Sequence, residues 1–147
     1  MAKKKQLRRG LRFVVARPVE FRRTIAYYDR RLPAVLSTPS MIGQMEVAAA
    51  KLLQPFLPAG AISVGTHIDV SHRAPATVGE RLRVRAAFDH IYHPKNSGRL
   101  RYVFAVEARA GSRLIGEGTV ERAVVEPTSH GARRSRGKTQ RRRAARG

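Results

Sequence analysis

Residues 38–56 constrain the fold of this chain more than any other stretch. After Thr38-Pro39, the side chains of Ile42, Met45, Ala49, Leu52, Leu53 and Phe56 recur at spacings of three and four. That rhythm lays one apolar stripe along a helix. Thr38 suits the N-cap, because its hydroxyl can accept from an unpaired N–H of the first turn. Pro39 then takes the first helical position, where a missing N–H costs nothing. Pro55, Pro58 and Gly60 end the run, so a single helix of about four turns is predicted.

Beyond the helix the period changes to two. Ile62, Val64, Thr66, Ile68 and Val70 alternate with Ser63, Gly65, His67 and Asp69, as in a strand with unlike faces. Leu82, Val84, Ala86 and Phe88 continue the rhythm in a strand that can extend to Tyr92. Pro94 to Gly98 is a turn by composition, Leu100 to Ala108 a third strand, and Ala110-Gly111-Ser112 a tight turn. Leu114 to Val125 is a fourth strand, in which Gly116 and Gly118 suggest a bulge or a close backbone approach. Ahead of the helix, Leu11 to Ala16 reads as one more strand, interrupted by Pro18, and Phe21 to Tyr28 as a lead-in segment. Antiparallel strands that must bury one face will wrap the only long helix available. The expected class is therefore α+β, an antiparallel sheet around one central helix: the hotdog arrangement. One such sheet leaves an edge strand and a helix flank uncovered, so a homodimer is expected, or a tetramer of paired dimers.

At 147 residues the chain has room for one domain with a real core. Its charge is unusual, with 30 Lys and Arg against 10 Asp and Glu, a formal +20. Fourteen of the cations lie in residues 1–12 and 131–147, which contain no acid, leaving a body of about +6. Like charges and little apolar area argue for disordered basic tails at 1–10 and 128–147, flanking a domain at 11–127. No apolar run approaches the length of a membrane span, and no secretory signal pattern opens the chain. The absence of cysteine excludes a disulfide framework and thiolate chemistry and fits a cytoplasmic location. His67, His72, His90 and His93 fall at no recognised metal-ligand spacing, and neither a phosphate loop nor a nucleotide fingerprint is present.

Three polar residues stand out. Glu46 lies among Met45, Val47, Ala48, Ala49 and Ala50, the most apolar part of the helix. A carboxylate there needs a partner or a solvated site. It equally fits a solvent-facing position on an amphipathic helix. Thr38, eight residues earlier, is separated from it by about 12 Å of axis and roughly 80° of rotation, so the two can border one cleft without touching. An N-cap role alone would explain Thr38. His72 ends a strand within Asp69-Val70-Ser71-His72-Arg73-Ala74-Pro75, where a surface histidine is equally natural.

The segment Thr38-Pro39-Ser40-Met41-Ile42-Gly43-Gln44-Met45-Glu46-Val47-Ala48 resembles the start of the hotdog helix in the fluoroacetyl-CoA thioesterase family. The similarity continues through Pro55-Phe56-Leu57-Pro58, Ser63-Val64-Gly65-Thr66, Val70-Ser71-His72 and Ile115 to Arg122, without a gap between Thr38, Glu46 and His72. The resemblance implies a thioesterase that hydrolyses a small acyl-CoA with a catalytic Thr38, Glu46 and His72 set. It also implies that the Gly65 N–H helps hold the thioester carbonyl, a task suited to a residue whose amide nothing shields. Arg122 matches a family arginine, with an ion-pair role and substrate contact both open. No cofactor is implied, since CoA is part of the substrate. The fluoroacetyl-specific enzyme carries a phenylalanine-bearing lid before the helix. Here Tyr27 to Leu36 contains no phenylalanine, so fluoroacetyl selectivity is not expected.

Two rival readings follow from the same residues. Hotdog hydratases use an Asp and a His, but Asp69 and His72 are three apart on a strand and should face opposite ways. A non-catalytic hotdog dimer could instead bind acyl-CoA without turning it over, or its basic tails could neutralise nucleic-acid phosphates, with the body as a dimerisation module. Residues 128–147 contain no aromatic side chain, so they offer no platform for base stacking.

Overall fold

The computed structural model describes residues 5–126. Strand β1 (Arg12–Pro18) precedes helix α1 (Thr38–Leu53), and β2 (Ile62–His72), β3 (Arg81–Tyr92), β4 (Arg101–Ala110) and β5 (Arg113–Val125) follow. All five strands form one antiparallel sheet in the order β1-β3-β4-β5-β2. The sheet packs around α1, as the order of elements predicts. β3 alternates as read, with Leu82, Val84, Ala86 and Phe88 buried. They meet Met41, Met45, Ala48, Ala49, Leu52 and Leu53 of the helix in one core. Phe104 of β4 closes the centre, its ring edge-on to Phe88 at 5.7 Å.

The helix starts one residue earlier than its sequence suggests. Ser37, not Thr38, is the N-cap: its hydroxyl accepts from the N–H of Ser40, and Thr38 and Pro39 form the first turn. Ser37 is buried while Thr38 is exposed. Capping therefore consumes the serine hydroxyl and leaves the threonine hydroxyl available for other work.

The second departure lies in β2. Gly65 pairs with Arg122 and His67 with Glu121, so Thr66 has no partner on β5. This bulge inserts one residue, and an odd insertion exchanges the two faces of a strand. The reading that placed Ile62, Val64, Ile68 and Val70 on one face is thereby corrected. Ile62 and Val64 are 46% and 40% exposed. Gly65 turns toward the helix together with Ile68 and Val70, which pack against the core.

Phe21 to Leu36 forms two short 3-10 turns and a loop closed at its base. Ile25 N–H donates to Val35 O, Ser37 N–H to Arg23 O, and Leu36 N–H to Ala76 O. Its tip exposes Tyr27, Tyr28 and Leu32. Residues 5–10, read from their charge as tail, run beside the sheet: Gly10 N–H donates to Phe88 O and Arg9 pairs with Asp89. Residues 128–147, also read as tail, lie outside the described residues. Among the described residues, no helix is long and apolar enough to cross a membrane.

Candidate active site

The helix N-terminus and the end of β2 meet at one point. Thr38 Oγ1 lies 2.8 Å from Nδ1 of His72, a hydrogen bond between residues 34 apart in sequence. The freed hydroxyl of the first helical residue faces the last residue of the strand. With Nδ1 unprotonated, Thr38 donates; with Nδ1 protonated, it accepts. Either way the bond fixes the ring orientation. His72 shares the helix-facing side of β2 with Ile68 and Val70, whereas Asp69 lines a hollow on the outer face with Ser71, Glu107 and Glu117. The separation of Asp69 from His72 removes the geometric basis for a hydratase pair.

Two turns along the helix, Glu46 forms a second cluster. Its side chain is about one third exposed, and Oε1 lies 3.9 Å from Nη1 of Arg122. A Cβ built on Gly65 would overlap Oε1 of Glu46 and come within 3.8 Å of Arg122 Nη1. The absence of a side chain at Gly65 is therefore what lets the carboxylate lie against the β2 backbone. Glu46 is thus half-buried, neither on a fully solvated face nor in the core. No hydrogen bond or ion pair links it to Thr38 or His72.

Arg122 is 7% exposed. Its Nε donates to Ser63 Oγ at 2.8 Å and its Nη2 to Ser63 O at 2.9 Å, leaving Nη1 directed at Glu46. Burial pushes the guanidinium below its ordinary arginine value, and the carboxylate of Glu46 works against that shift. Of the two roles open from sequence, the ion pair is the one made within this chain. Ser63 was not singled out as a site residue. Its signal exists only once the Thr66 bulge is known, because the bulge brings Ser63 and Gly65 to the helix side. No group of three or more metal-ligating side chains is found among the described residues.

A profile of the fluoroacetyl-CoA-specific thioesterase family (FlK) matches residues 19–128. The fluoroacetyl-CoA thioesterase of Streptantibioticus cattleyicolor is 38% identical over 93 residues, which is 63% of this chain and 63% of that protein. A solved structure of the fluoroacetyl-CoA thioesterase FlK superposes with a TM-score of 0.76 at 31% identity, covering 87% of this chain and 95% of that one. A thioesterase superfamily member from Thermus thermophilus superposes at 0.75 with 26% identity, over 87% and 90%. The profile covers most of the chain, and the sheet wrapped around one helix is the fold of these structures: this chain is a hotdog-fold member of the fluoroacetyl-CoA-specific thioesterase family.

Proposed function

We propose that the protein is a thioesterase that hydrolyses a small acyl-CoA to the free acid and CoA, with Thr38, Glu46 and His72 as its catalytic set. The single observation that carries this reading is the hydrogen bond between Thr38 and His72. A helix cap needs no such contact, and Ser37 already serves as the cap. The matching family and the Streptantibioticus cattleyicolor relative are both named for fluoroacetyl-CoA thioesterase, which supports a thioester as the substrate class.

In the proposed reaction, Glu46 acts on the acyl side, either attacking the thioester carbon or drawing a proton from the water that does. Charge then develops on the carbonyl oxygen, which the backbone N–H of Gly65 receives. The C–S bond breaks and the departing CoA thiolate takes up a proton through His72. Where water attacked, the acid is then free; where Glu46 attacked, a water molecule next hydrolyses the acyl–Glu46 anhydride to release the acid and restore the carboxylate. Thr38 orients His72 for that transfer. Arg122, held by Ser63, keeps a positive charge beside Glu46. Tyr27 to Leu36 supplies no phenylalanine to a lid. We therefore assign the enzyme a small acyl group without fluoroacetyl selectivity.

The test is thiol release from a panel of short-chain and aromatic acyl-CoAs. Thr38→Val and His72→Ala should each lower kcat/KM by about a hundredfold or more, and the double variant should lose little beyond either single one. Residues that act as a unit are not additive. A wild type that turns over none of these thioesters, or losses that multiply in the double variant, would sink the proposal.

The proposed assembly is a homodimer through the β2 edge. β2 pairs only with β5 among the described strands, and Ile62, Val64 and Val47 expose apolar surface. Edge strands of this kind invite pairing. Light scattering should give the mass of two chains for the wild type and of one chain for Val64→Glu. A monomeric wild type would overturn this assembly.

A further inference from the structure

A hollow of about 870 Å³ lies between the N-terminal segment, β1 and the end of α1. Its apolar floor is made by Leu11, Phe13, Leu52, Pro55 and Phe56. Around it stand Lys5, Arg8, Arg12 and Lys51, and no carboxylate is among the lining residues. None of these four cations is in an ion pair among the described residues, whereas Arg9 nearby is held by Asp89. The wall is anchored by backbone: Gly10 N–H donates to Phe88 O, Phe88 N–H to Leu11 O, and Leu11 N–H to Arg8 O. Leu52 is six residues beyond Glu46, a rotation of about 240° and a rise of about 9 Å. The hollow therefore opens on a different flank of the helix from Glu46, Gly65 and Arg122.

We propose that this hollow is a second ligand site, separate from the thioester centre, for a single-chain amphipathic anion such as a medium-chain carboxylate. Its volume is within the range of small-molecule pockets. The floor would remove the chain from water, and the four cations would hold an anionic head by charge-assisted hydrogen bonds. Each half excludes an alternative. A bare inorganic anion would leave the floor unused, and a cationic amphiphile would be repelled by the rim.

The test titrates the full chain with decanoate by calorimetry, beside inorganic phosphate and decyltrimethylammonium. Saturable 1:1 binding of decanoate is expected, with both comparison ligands weaker. Arg12→Glu/Lys51→Glu should weaken it about tenfold, since each reversal replaces attraction by repulsion. Lys51→Glu alone gives an independent reading should the double variant be unstable. Acyl-CoA hydrolysis should be unchanged in both variants. Phosphate or decyltrimethylammonium binding as tightly as decanoate, or charge reversal without effect, would overturn the proposal. Competitive displacement of decanoate by CoA would instead make the hollow part of the substrate site. Binding only to anionic phospholipid vesicles would assign it to a membrane surface. Either result refutes a separate site for a soluble anion, and neither depends on the thioesterase reading being correct.

Discussion

On the proposed function, Glu46→Gln is expected to lower kcat/KM for acyl-CoA hydrolysis by about a thousandfold and to leave the melting temperature nearly unchanged. The size follows from what the substitution removes. An amide can neither attack the thioester nor take a proton from water, and a positioned base or nucleophile contributes on the order of 10²–10⁴ in rate. The small effect on stability has a separate cause. Among the described residues Glu46 makes no hydrogen bond, and its only charged partner there is Arg122 at 3.9 Å. Glutamine is nearly isosteric, so the close approach to Gly65 is retained. Arg122 keeps both its bonds to Ser63, which limits the cost of leaving a buried cation without its counter-charge. Steady-state kinetics together with thermal denaturation decide the matter. A variant retaining more than a tenth of wild-type kcat/KM would remove Glu46 from the chemistry. A large loss of melting temperature would make it structural instead.

The largest stability effect is expected at Gly118. A Cβ there would collide with the carbonyl oxygen of Asp69 and lie 2.7 Å from Cα of Val70. Both are backbone atoms of the neighbouring strand, so no rotamer change relieves the overlap, and β2 must separate from β5. Gly118→Ala should therefore cost about 3 kcal/mol, read as a fall in melting temperature of about 10 °C. Because His72 ends the same strand two residues after Val70, activity should fall with it. Gly43→Ala is the comparison with opposite sign. A Cβ at Gly43 meets nothing within 4 Å, and alanine in mid-helix is favoured by roughly 0.5–1 kcal/mol. A Gly118→Ala variant as stable as the wild type would mean that the two strands are further apart than described.

The outline of the fold follows from local chemistry. Pro39 opens a helix, Pro55 and Pro58 stop it, and between them the apolar spacing chooses the buried face. Leu82 to Phe88 alternates because one face of β3 is buried and the other is not. Thr38, Glu46 and His72 could be picked out as polar residues in suggestive places, and the family resemblance connected them. What their positions in the chain could not supply was their arrangement. Ser37 and Thr38 are both capable N-caps, and only packing decided that Ser37 is buried and caps while Thr38 reaches His72.

The Thr66 bulge made the other decision. Gly65 and His72 are seven residues apart, and a regular strand would point them to opposite faces. One unpaired residue between them brings both to the helix side, and brings Ser63 with them to hold Arg122. The sequence by itself thus determined which elements form and, for α1 and β3, which faces they bury, because those depend on neighbours along the chain. Whether a strand carries an extra residue depends on its pairing with β5, more than fifty residues later. That is a property of the tertiary structure alone.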